Sequence, residues 1–118
     1  MKTLTNAEEQ IMQILWKIGK GFLKEILDEI PEPKPHSNTV ATILRILVDK
    51  KFADYEVYGR QHQYFALMSK EEYSNGTLKE IIGDYFDGSY KEAVSFFVER
   101  DKLSIKDLEL LLNELKKK

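Results

Sequence analysis

The stretch HSNTVATILRIL (residues 36–47) carries the side chains with the most to offer chemically. Asn38, Thr39, Ala41, Thr42 and Arg45 interleave there with Val40, Ile43, Leu44 and Leu47. At helical spacing, residues three and four apart share a face. The four apolar residues then line one side, and Asn38, Ala41, Thr42 and Arg45 the other. Those types suit a major groove: Arg bonds bidentately to guanine, Asn to adenine, and a Thr methyl touches the thymine methyl. Ser37 and the first helical amides add an anion site for phosphate oxygens. The same residues would equally serve as the wet face of an amphipathic helix, so position in the fold must decide between the two.

A second cluster, Arg60, Gln61 and His62, follows Gly59 in a turn between two strand-like runs. There it could reach backbone phosphate or a minor groove, or simply be a solvated turn. Lys17, Lys20, Lys50 and Lys51 are further candidates for a phosphate-facing patch. His36 and His62 lie apart in sequence and have no cysteine company, which is too few ligands for zinc. The Glu8–Glu9 and Glu71–Glu72 pairs sit in helix first turns, where acids favour the dipole. With no G-x-S-x-G, glycine-rich phosphate loop or H-E-x-x-H, no enzyme, metal or cofactor is expected.

The elements that position these residues announce themselves by capping boxes, Ser or Thr followed three residues later by an acid. They stand at Thr5/Glu8, Ser69/Glu72, Ser89/Glu92 and Ser104/Asp107. The first opens a helix over 6–18, with Ala7, Ile11, Ile14, Leu15 and Ile18 as its buried stripe. Gly19 and Gly21 break it, and a second helix is predicted over 22–30. PEPKP (31–35) stops that helix, because proline lacks an amide donor. Ser37 is then a plausible N-cap for a third helix to about residue 50. Tyr55 and Val57, then Tyr64 and Phe65, read as a hairpin around Tyr58–Gln61. Three more helices follow, near 70–86, 90–99 and 105–117.

Three helices and a hairpin give the order of a winged helix-turn-helix, with the third helix for recognition and the hairpin as wing. The predicted fold class is therefore mainly α with a small β-hairpin, divided into a winged-helix DNA-binding domain (1–68) and a C-terminal helical dimerisation domain (69–118). The later helices carry more apolar surface than a small core can cover. Tyr85, Phe86, Tyr90, Phe96 and Phe97, with Leu108, Leu111, Leu112 and Leu115, read as core or as the seam of a C₂ homodimer.

Charge does not advertise the partner. Net charge is −2, with 9 Lys+Arg against 9 Asp+Glu in residues 1–66 and 9 against 11 in the remainder. Double-stranded DNA must therefore be met by a local patch, and a winged-helix protein-interaction adaptor without DNA binding is the competing reading. No apolar run approaches the roughly 20 residues that span a bilayer, and no signal peptide opens the chain, so a cytoplasmic protein without membrane contact is expected.

The blocks LTNAEEQIMQILWKIGKGFLKEILDEI, NTVATILRILVDKKF and YGRQHQYFALMSKEEY, with the tail VSFFVERDKLSIKDLELLLNEL, resemble the BlaI/MecI/CopY family of penicillinase-type repressors over nearly the whole chain. The most specific pieces are E..IM.ILW at Glu9–Trp16 and NTV.TIL..L in the third helix. The resemblance implies a homodimeric repressor, each subunit reading half of a near-palindromic operator, with Asn38, Thr39, Thr42 and Arg45 facing DNA. Ala41 and Ile46 depart from the pattern, where relatives often carry larger or basic residues. Penicillinase repressors are inactivated by a sensor protease that cuts an Asn–Phe bond in a C-terminal helix. The corresponding dipeptide here is Phe96–Phe97, a departure at the regulatory protease's target. The absence of cysteine excludes the copper-responsive branch's metal motif.

Overall fold

A computed structural model describes residues 4–100 and 103–116, with the side chains of residues 111 and 114–116 left out. The chain divides into two compact units, Met1–Asn75 and Gly76–Lys118.

The first unit begins with α1 (Asn6–Ile18), capped by the reciprocal box the sequence predicts. Thr5 Oγ1 accepts from the Glu8 amide, and Glu8 Oε1 accepts from the Thr5 amide, each at 3.2 Å. The chain then enters a strand, β1 (Lys20–Phe22), where the sequence predicts only a helix break. Consequently α2 is shorter than the expected 22–30 and runs Leu23–Asp28. The amide of Phe22 donates to Glu25 Oε1 at its start. Lys34, from the proline-rich loop, donates to the carbonyls of Leu27 (2.8 Å) and Ile30, covering acceptors that a helix end leaves open.

Helix α3 (Ser37–Asp49) has a different cap from the one expected. His36, not Ser37, is the N-cap: its Nδ1 accepts from the Asn38 amide at 3.0 Å. At the other end the Lys51 amide donates to Val48 and the Phe52 amide to Leu47, a Schellman closure with Lys51 at φ 67°. Strands β2 (Ala53–Tyr58) and β3 (Gln61–Ala66) follow, joined by the two-residue turn Gly59–Arg60, with Gly59 at φ 63°. The hairpin is therefore part of a three-stranded antiparallel sheet of order β1-β3-β2. Gly21 lies opposite Tyr64, and a Cβ on it would come within 2.6 Å of Ile18 Cδ1.

The core is a junction of three helices and the sheet. Ile11, Met12 and Leu15 of α1 pack with Ile26, with Val40, Leu44 and Leu47 of α3, and with Phe52 and Ala53. Tyr73 in α4 (Lys70–Phe86) completes it, tilted on Trp16 at 5.7 Å and edge-on to Phe52 at 6.1 Å. Trp16 Nε1 donates to the Met68 carbonyl at 2.9 Å, so its buried ring keeps its polar handle satisfied.

The second unit contains the rest of α4, then α5 (Tyr90–Glu99) and α6 (Ile105–Lys116). Ser89 caps α5 by accepting from the Glu92 amide, and Ser104 and Asp107 form a reciprocal box on α6. Buried apolar side chains are sparse there: Ile82 and Ala93 among the described residues. No helix among the described residues is long and apolar enough to cross a membrane.

Candidate nucleic-acid interface

The α3 sequence separates its faces as the spacing requires. Val40, Leu44 and Leu47 are fully buried, while Asn38, Thr39, Thr42, Arg45 and Ile46 are exposed. Ser37 and Ala41 are half-buried at the margins. The Thr42 hydroxyl donates to the Asn38 carbonyl at 2.9 Å, turning back onto its own helix. Arg45 makes no ion pair with any described residue.

Beside this helix the inner face of the hairpin forms the opposite wall of a cleft of about 540 Å³. Asn38, Ala41, Thr42 and Arg45 line it on the helix side, and Tyr55, His62 and Tyr64 on the sheet side. His62 stacks on Tyr55 with ring centroids 4.1 Å apart and planes 4° from parallel. Register explains the cluster: Val57 faces His62 and Tyr55 faces Tyr64, so alternate residues of β2 and β3 point toward α3. Burial, with Tyr55 alongside, raises the Tyr64 phenol above its ordinary pKa, so it stays a neutral hydrogen-bonding group.

The three residues expected at the wing separate. Arg60 and Gln61 are exposed at and beside the tip, whereas His62 is half-buried in the stack. Arg60, Gln61 and His62 also border a smaller hollow with Phe22, Leu23 and Lys24. By sequence Tyr55 and Tyr64 are strand formers alone; their place in the cleft follows from strand register.

The candidate lysines sort by their partners. Lys17 pairs with Glu29 at 2.7 Å. Lys50 pairs with the buried Glu8, also at 2.7 Å, and holds that carboxyl below its ordinary range. Neither is a free cation for phosphate, which leaves the exposed Lys20 and Lys51, with Arg45 and Arg60, for the local patch.

In the second unit the aromatic residues are largely uncovered. Tyr85, Tyr90, Phe96 and Phe97 are exposed, and Phe86 meets Phe96 edge-on at 5.6 Å. Arg100 lies 5.0 Å over the Phe96 ring. Leu112 is exposed and Leu108 half-buried, while the side chains of Leu111 and Leu115 lie outside the described residues.

Residues 4–117 match the penicillinase repressor family. The methicillin resistance regulatory protein MecI of Staphylococcus aureus is 30% identical over 116 residues, covering 98% of this chain and 94% of that one. The penicillinase repressor of Bacillus licheniformis is 25% identical over 117 residues, covering 96% and 91%. Among solved structures, Bordetella bronchiseptica BpsR, described for regulation of its DNA binding by 6-hydroxynicotinic acid, superposes over 98% of this chain and 75% of that one. Its TM-score is 0.51 at 15% identity, a likeness of fold.

Proposed function

The chain belongs to the penicillinase repressor family and is a DNA-binding transcriptional repressor of that type; from this premise we propose how it engages its operator. Helix α3 enters the major groove, with Asn38, Thr39, Thr42 and Arg45 toward base edges and Ala41 leaving room beside them. The observation that carries this is the division of one helix: Val40, Leu44 and Leu47 are locked in the core while Asn38, Thr42 and Arg45 stand exposed beside the wing. Ser37 and the neighbouring amides meet phosphate at the helix start. Arg60 and Gln61 reach the backbone or minor groove from the wing tip, with His62 buttressing them from its stack on Tyr55.

Two copies act together. Exposed Tyr85, Phe96, Phe97 and Leu112, beside Phe86 and Leu108, supply the apolar surface a self-complementary contact needs. Leu111 and Leu115 belong to the same proposed seam by their spacing in α6. Two α3 helices one helical turn apart then read a near-palindromic site. Phosphate contacts set the register and base contacts the sequence.

Relief of repression by cutting an Asn–Phe bond does not fit this chain, which holds Phe96–Phe97 within α5 and no Asn–Phe pair anywhere.

The test is selection of fragments bound by the full chain from its host genome. Enrichment of an inverted repeat with half-sites about 10 base pairs apart, centre to centre, or a multiple of that, is expected. Enrichment without any repeat would count against the paired reading.

A further inference from the structure

Helix α3 presents two stripes outside the core, and they share Thr42. Asn38, Ala41, Thr42 and Arg45 line the cleft facing the hairpin. Thr39, Thr42 and Ile46, at i, i+3 and i+7, form the second, and neither Thr39 nor Ile46 lines that cleft. All three are exposed, Ile46 at 36%. Thr42 commits its hydroxyl to the Asn38 carbonyl, so its methyl group is what it offers outward.

One exposed isoleucine is ordinary on a protein surface. This one stands beside the outward methyl group of Thr42 on the helix proposed to enter the major groove, roughly 10 Å from Thr39 along the axis. An isoleucine cannot bond phosphate, and against a bare polar base edge it would only desolvate the base's hydrogen-bonding groups. The one apolar group that a base pair shows in the major groove is the C5-methyl of thymine.

We propose that Ile46, with the methyl group of Thr42 beside it, is a specificity-determining contact that selects thymine in each operator half-site through its C5-methyl group. This rests on the reading of α3 as the helix in the major groove and adds to it the base that the apolar stripe selects. Arg45 and Asn38 read hydrogen-bonding edges from the neighbouring stripe, so one helix face combines two kinds of recognition. Such a contact suits a chain with few free cations on this face, because methyl burial adds discrimination without charge.

The test uses the full chain and the tightest duplex it selects from a random library. Each thymine is replaced singly by deoxyuridine, which removes the methyl group and preserves base pairing. At least one thymine per half-site should show about a fourfold loss of affinity, the worth of one buried methyl group. In Ile46→Ala the same replacement should change affinity less than twofold, whereas in Arg45→Ala the full deoxyuridine penalty should persist. The proposal is overturned if no thymine is sensitive, or if Ile46→Ala retains the full penalty. A shift of Ile46→Ala to a smaller assembly would also overturn it, by making Ile46 a protein contact. If Arg45→Ala still removes preference for the selected site in those cases, only the methyl contact fails. If it does not, the major-groove reading of α3 falls as well.

Discussion

Lys50 Nζ lies 2.7 Å from Glu8 Oε1, joining the last turn of α3 to the first turn of α1 across 42 residues of sequence. The same carboxylate oxygen accepts the Thr5 amide, so one buried group both caps α1 and neutralises Lys50. A lysine that looks available for phosphate is thereby a structural cation. It ties the end of α3 to α1, beside the core in which Val40, Leu44 and Leu47 already hold that helix.

Removing the cation should therefore weaken the fold and spare DNA electrostatics. Lys50→Met is expected to cost about 2 kcal/mol in denaturant unfolding, the scale of a charged hydrogen bond. The salt dependence of DNA binding should stay unchanged, since no phosphate contact is lost. The pH response has a definite sign. The hydrogen bond from Lys50 lowers the Glu8 pKa below its ordinary 4.5 in the native state. Unfolded chains then bind the proton first, and stability falls with pH. The contribution is complete above about pH 4.5 and disappears as pH drops through the lowered native value. Acid unfolding curves of Lys50→Met should lack that component.

At the C-terminus of α3, Lys51 adopts φ 67° in a position that favours glycine. Its side chain is exposed, so it brings no packing to offset the strain. Lys51→Gly is expected to raise stability by about 1 kcal/mol, visible as a higher melting temperature, because glycine carries no Cβ into the left-handed region. Lys51→Ala should leave it near the wild-type value, because alanine retains the Cβ that causes the strain.

Arg45 and Arg60 should fail in different ways. Arg45→Ala is expected to lose about 1–3 kcal/mol on the selected site and little on scrambled DNA, as a base contact would. Arg60→Ala should weaken both and reduce the salt slope by about one ion, as a phosphate contact would. Fluorescence anisotropy across a salt series reads both outcomes. Equal losses on the two DNAs for Arg45→Ala would remove its specifying role.

Phe96 and Phe97 are exposed although they stand adjacent on α5 with an edge-on contact of 5.9 Å. Replacing both by Ser should leave the first unit folded and convert the protein to monomers in light scattering. Operator affinity should fall with it, by more than for a single half-site, since the second half-site no longer binds as part of one molecule. A double variant that stays dimeric would place the seam elsewhere.

Local rules were enough for much of this chain. Thr5 and Glu8 start α1 where the capping box says they should, and Val40, Leu44 and Leu47 bury where their period puts them, because both depend on residues within a few positions of each other. The family, the order of elements and the composition of the α3 face were legible for the same reason. Long-range pairing decided the rest. Strand β1 exists because Gly21 meets Tyr64 across the sheet, and three residues are too few to show a strand period. Tyr73 belongs to the first unit because Trp16 and Phe52 receive it. His36 rather than Ser37 caps α3 through a side-chain geometry that residue preference does not specify. The sequence alone thus determined which residues could meet DNA, from their types and helical spacing. Tertiary structure decided which cations are already paired, and it set Tyr55 and His62 across one cleft from Arg45, because charge pairing and strand register join residues far apart in the chain.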